Sequence, residues 1–371
     1  MTIGVSGVAG EVSIASSQVS SNARDNAGSG ERGARAKDSR FLRHVHYFRA
    51  FAIVCILFAH LWDLPAGSEH RSALYSTRQL LFHSSTMYFL FISGFLFTHL
   101  SANFNAVRYY KTKLLYVLLP YTLFSTLVFV VKHPGAISSG DPSWLGGLAQ
   151  TLWHGTAVGS YWYVPFVAVL FLVSPLLLRI PPKPFRWLCT LASPLPLLGT
   201  RTGDMTPPQF MYFFPVYLLG CLAATDYPAF VRFVRTHRWS LVGAVVLSST
   251  VIAALHTRSY YIGWINVTES SFYVQKISVC CLVLGALRRW EKHDIPLLGT
   301  IATYSFALYF THPLVGCLAV RSLMYRAVPD VPVLLWIASF VFVLLLLAGD
   351  LALCALARRA LGRWSRYVIG A

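Results

Sequence analysis

Charge is scarce in this sequence. Only 12% of its 371 residues are Asp, Glu, Lys or Arg, against about 25% in a soluble domain, which excludes an ordinary water-soluble globule of this length. Acid is scarcer still: 14 Asp and Glu stand against 31 Lys and Arg, a formal charge of +17. Paired Cys-x-x-Cys spacings are lacking, so neither a disulfide framework nor a metal site is expected. The seven cysteines, Cys55, Cys189, Cys221, Cys280, Cys281, Cys317 and Cys354, all fall in apolar segments and read as small core residues. No Gly-x-Ser-x-Gly elbow occurs, which removes support for a serine nucleophile. A convincing internal repeat is also missing, whereas transporters usually show one.

What abounds is apolar. The chain is 56% hydrophobic and 15% aromatic, with a mean hydropathy of +0.56. Long apolar runs recur with Trp and Tyr at their ends, as the aromatic belts of a bilayer-embedded protein would place them. The expected fold is all-α: a polytopic integral membrane protein of about ten transmembrane helices. The candidate spans lie near 47–64, 80–98, 114–131, 161–178, 185–200, 209–224, 239–256, 272–288, 297–318 and 331–355. Residues 1–40, rich in Ser, Gly and Ala and without apolar periodicity, read as a disordered cytoplasmic tail. Residues 41–371 form the transmembrane domain.

Basic residues alternate between rich and poor segments along the ten spans. Arg108, Lys111 and Lys113 are followed by Lys132 alone; Arg179, Lys183 and Arg186 by Arg201 alone; Arg232, Arg235 and Arg238 by Arg258 alone. The positive-inside rule then puts both termini in the cytoplasm and gives a multi-pass protein of the plasma (inner) membrane. The net charge is accounted for by these loops. No soluble module is long enough to bind nucleic acid, so none is expected as a partner; the lipid bilayer is.

The first span, "YFRAFAIVCILFAHLWD" (47–63), carries Arg49 and His60 eleven residues apart. At about 100° per residue they share one helix face, about 16 Å apart along the axis. Each alone has a bland reading, a snorkelling arginine and a satisfied interhelical histidine. Together they set a cation towards the inside and a base towards the outside. Asp63 follows His60 on the same face; it either orients the imidazole or meets water at the interface.

Arg-x10-His followed by "FLFISGFLF" resembles the membrane acyltransferase family 3, the O-acyltransferases of surface polysaccharides and related glycans. "KTKLLYVLLPY" (111–121), "YWYVPFVAVLFLVSPLL" (161–177) and "YSFALYFTHPL" (304–314) are similar to its later segments, in order and at fitting spacing. The resemblance implies an O-acyltransferase with a cytosolic acyl-CoA donor, acetyl-CoA foremost, and no bound cofactor. It implies as acceptor a hydroxyl of a cell-surface glycan or its lipid-linked precursor. His60 is then the general base, since imidazole near its unperturbed pKa of about 6.5 takes the hydroxyl proton as it attacks a thioester. Arg49, Lys111 and Lys113 would hold the donor phosphates, and extended pantetheine has about the length to bridge the gap from Arg49 to His60. The family's arginine-rich loop is here Arg108 with two lysines, which hold phosphate as point charges rather than bidentately.

The remaining candidates carry two readings each. Ser93 and Gly94 either pack helices or touch substrate. Trp162 and Tyr163 either anchor at the interface or stack a sugar. His312 either lines the substrate path or bonds another helix, and Asp350 is an intramembrane carboxylate that Arg49 could neutralise. The segment "WLGGLAQTLWHG" suggests a short helix in the loop 132–160, as a lid or a plain connector. The rival functions are a membrane transporter or flippase, and a non-enzymatic subunit of a polysaccharide export complex.

Overall fold

The structure is a computed structural model that describes residues 42–62, 71–135, 142–316 and 331–370. The expectations for the tail 1–40, for Asp63, for Cys317 and for part of the loop 132–160 lie outside the described residues. By its contacts the chain divides into Met1–Arg43 and His44–Ala371.

Helices make up nearly all of the second unit. In chain order they are α1 (Arg43–Leu61), α2 (Arg71–Phe82), α3 (Thr86–His99), α4 (Ala106–Lys113), a π-helical turn (Leu114–Leu118), α5 (Leu119–Lys132), α6 (Ser143–His154), α7 (Tyr163–Leu177), α8 (Pro182–Ala192), α9 (Leu195–Leu198), α10 (Pro207–Thr225), α11 (Tyr227–Thr236) and α12 (Arg238–Ala254). A two-residue hairpin, β1 (Tyr261–Ile262) and β2 (Ile265–Asn266), leads into α13 (Val267–Leu287), α14 (Pro296–Val315), α15 (Pro332–Leu361) and α16 (Ser365–Val368).

Local chemistry sets the helix starts. Proline opens α8, α9, α10, α11, α14 and α15, where its missing N–H costs nothing and its φ is already helical. Side-chain oxygens cap three helices, α4, α11 and α13. Asn105 accepts from the Arg108 amide at 2.9 Å, Asp226 from Ala229 at 3.0 Å and Asn266 from Glu269 at 3.1 Å, each satisfying one orphan donor. At the start of α1 the Glu291 carboxylate takes that role from a distance in sequence: it accepts from the His44 amide at 2.8 Å and also bonds the His44 ring.

Each of the ten expected spans falls on helix, but among the described residues only six helices are both long and apolar enough to cross a bilayer, or seven if the pair α11 and α12, bent by 69°, is one broken span. The shortfall has simple causes. α7 is 15 residues long and α8 is 11 residues followed by the four-residue α9, while a spanning helix needs about 20. α14 has 20 residues, yet its Thr, Ser, Tyr and His side chains dilute its apolarity. The segment 143–154 is helical as expected and ends at Gly155, whose φ of 67° is the left-handed conformation glycine tolerates.

Packing is closest between α3 and α10. A Cβ on Gly94 would lie 2.1 Å from the Tyr217 carbonyl oxygen, and one on Gly220 would lie 2.0 Å from that of Phe91. The two glycines therefore let the backbones touch, the means by which membrane helices associate without a hydrophobic force between them. α14 packs on α15, and α12 on α13. The outer faces of α5, α12 and α15 expose Leu127, Val131, Val246, Leu247, Leu345 and Leu356, as lipid contact requires.

Candidate active site

Arg49 and His60 do share a face of α1, and that face meets α14. Arg49 Nη2 donates to Ser305 Oγ at 3.0 Å. His60, one residue from the end of α1, has its ring 5.6 Å from that of His312. Because Arg49 pairs with the earlier residue of α14 and His60 with the later one, the two helices run in the same direction. The cation and the imidazoles therefore lie along one seam, separated by about 16 Å of helix rise.

The two histidines differ. His60 is exposed and His312 is buried. His312 Nδ1 lies 2.9 Å from the Leu308 carbonyl oxygen. A carbonyl only accepts, so Nδ1 carries the proton, and in the neutral ring Nε2 bears the lone pair. Aromatic rings wall this pair. Tyr309 lies 6.1 Å from His312 and 5.8 Å from Tyr163. The Tyr309 hydroxyl donates to the Ser160 carbonyl, and the Tyr161 hydroxyl donates to that of Phe310 at 2.6 Å. Those two bonds clamp the turn before α7 onto α14.

Ser93 is half-buried on α3, which packs on α7 beside the same aromatic wall. Trp162 is buried rather than displayed at a surface; its ring packs on Phe213 at 5.2 Å, with the Arg201 guanidinium 5.8 Å away. Lys113 is half-buried with its ammonium 4.2 Å from the Phe171 ring. Lys111 and Arg108 are exposed. The structure thus tucks Lys113 against α7 and leaves Lys111 on the surface. Asp350 is not paired with Arg49. It is buried on α15, which packs on α14, and the Cys354 sulfur lies 3.8 Å from its Oδ1 and 3.8 Å from the hydroxyl of Thr311, the residue before His312.

Residues 43–354 match the family model of an acyltransferase domain, that of acyltransferase family 3. The chain belongs to that family. No curated protein and no solved structure matches it. Membership and the apolar helices together make it a multi-pass membrane acyltransferase, and the residues of the seam between α1 and α14 belong to the matched region.

Sequence reasoning missed a second polar cluster, between α2, α13 and the loop after α9. His83 Nε2 lies 3.2 Å from Glu269 Oε1, and its Nδ1 lies 3.0 Å from Gln79 Oε1 and 3.3 Å from Arg201. Below it the buried Lys276 donates to the Leu81 carbonyl at 2.7 Å. The signal was present as two charges, Glu269 and Lys276, in an otherwise apolar helix. Near this end of the bundle, His154 donates to Asp204 at 2.7 Å; that bond, and one from the Met205 amide, hold the Asp204 carboxyl below its ordinary value.

Proposed function

We propose that this acyltransferase moves an acyl group, acetyl foremost, from cytosolic acyl-CoA to a hydroxyl of a cell-surface glycan or its lipid-linked precursor, with both chain termini on the cytoplasmic side. One observation carries the reading: a single helix seam has an arginine at one end and a histidine pair at the other. Arg49 and Lys113 hold phosphate at the cytoplasmic end. The thioester arm lies along the seam and brings its carbonyl to His60.

The acceptor hydroxyl oxygen attacks the thioester carbon while His60 removes its proton. The carbon–sulfur bond then breaks, the ester forms, and the departing sulfur takes the proton back from the imidazolium, leaving coenzyme A as free thiol. His312 steadies that proton. Its Nδ1 is committed to Leu308, so Nε2 is the nitrogen that accepts, directly or through one water, from the neighbouring ring. Asp350, beside Thr311, lends negative charge to the same end of α14. General-base catalysis of this kind contributes typically about 10²–10⁴-fold in rate.

The experiment supplies isotopically labelled acetyl-CoA to membranes containing the protein and follows label into glycan. Label in the glycan supports the acyltransferase. Unlabelled glycan whose export nonetheless depends on the protein would favour the transporter or the non-enzymatic export subunit instead.

A further inference from the structure

The C-terminal turn closes over the bundle and forms a cleft of about 600 Å³ that none of the residues above accounts for. Its walls include Tyr116, Arg358, Arg363, Trp364, Arg366 and Tyr367, and among the described residues no acidic side chain lines it. Three guanidinium groups without a carboxylate make a site for an anion. Three aromatic rings surround them: Tyr116 and Tyr367 lie 5.4 Å apart, Trp364 and Tyr367 5.7 Å apart, and Arg363 sits 5.6 Å from the Trp364 ring. Trp364 is 58% exposed, so its face is open to a flat partner.

The cleft also joins the seam. The Arg358 guanidinium lies 5.8 Å from the Tyr304 ring, and Tyr304 precedes the Ser305 that holds Arg49. Tyr116 sits in the π-helical turn that begins directly after Lys113. Such turns often mark functional positions, because the extra residue turns side chains out of the regular helical register. Here the turn packs against α16, which forms the opposite wall.

We propose that this cleft holds the nucleotide end of the acyl donor, with its 3′-phosphate on Arg358, Arg363 and Arg366 and its base against Trp364 and Tyr367, the pyrophosphate being left to Arg49 and Lys113. The inference rests on acyl-CoA being the donor. It answers a difficulty in the sequence, where the basic loop offers lysines in place of arginines: the bidentate phosphate contacts come from the C-terminus instead. These arginines lie past residue 354, where the family match ends. A phospholipid headgroup offers the same phosphate chemistry but no base for the rings.

The test uses the full chain in phosphatidylcholine nanodiscs, titrated with coenzyme A, with adenosine 3′,5′-bisphosphate and with pantetheine. Wild type binds the first two more tightly than pantetheine. Arg363→Gln with Arg366→Gln weakens coenzyme A about 100-fold, tenfold for each contact of about 1.4 kcal/mol, and raises the donor KM in parallel while pantetheine binding stays put. Trp364→Leu weakens adenosine 3′,5′-bisphosphate and spares inorganic phosphate. Unchanged coenzyme A affinity in the double variant, with wild-type transfer from acetyl-CoA intact, overturns the cleft and leaves the enzymatic reading standing. Failure of wild type to bind coenzyme A or to transfer from it overturns both. Phosphatidylglycerol discs separate the two phosphate sources: displacement of coenzyme A by that lipid, with Trp364→Leu having no effect, would make the cleft a lipid site and overturn the proposal.

Discussion

At the residue scale the account turns on what Arg49 and His60 touch. Arg49 donates to Ser305 Oγ at 3.0 Å, and among the described residues no carboxylate is bonded to it. A guanidinium held in place by a neutral group keeps its charge for an anion. Removing the holder should then loosen the donor without stopping the chemistry. Ser305→Ala is expected to raise the donor KM about tenfold, since hydrogen bonds to charged groups contribute about 1.5–3 kcal/mol, with kcat little changed. Arg49→Ala should raise it further. Steady-state kinetics with acetyl-CoA checks both, and a KM unaltered in either variant would remove Arg49 from the donor site. The shared face of Arg49 and His60 was legible from their spacing alone. Their partners were not, because Ser305 and His312 lie some 250 residues away and a helix carries no mark of which neighbour its polar side chains will meet.

At the scale of elements, sequence and structure agree on where helices form and differ on how many cross. Apolar runs, prolines and caps sufficed to locate each segment. Length did not follow, because the runs near 161–178 and 185–200 include loop as well as helix: α7 stops at Leu177, and α8 and α9 are separated by a turn at Ser193 and Pro194. Of the two readings of Gly94 the structure shows packing, while its counterpart Gly220 was invisible without the α3–α10 pairing. That pairing makes a direct forecast. Gly94→Ala or Gly220→Ala must push apart backbones that already touch, at a cost of about 1–3 kcal/mol for overpacking. The thermal midpoint in detergent should fall for both. Gly243→Ala, on α12 with nothing within 4 Å of the new methyl, serves as the control and should not fall. Equal midpoints for all three would mean that α3 and α10 are not in contact.

At the scale of the whole molecule, the features that sequence could not supply are those that join distant segments: the seam of α1 with α14, the cluster of His83, Glu269 and Arg201, and the C-terminal cleft. Composition gave the membrane, alternating basic segments an expected orientation, and ordered motifs the family. None of these encodes which helices touch. In water-soluble helices an apolar stripe betrays the buried face, but here lipid-facing and core-facing sides are equally apolar, so periodicity is nearly silent. The polar residues are the exception: Arg49, His60, Ser305 and His312 each stand as a polar side chain in an apolar run. The central claim is therefore best tested at one of them. The measurement is the rate of label transfer from acetyl-CoA to glycan by membranes carrying His60→Ala at wild-type protein level. The account predicts a loss of at least about 100-fold with coenzyme A binding retained. Transfer at the wild-type rate would contradict it.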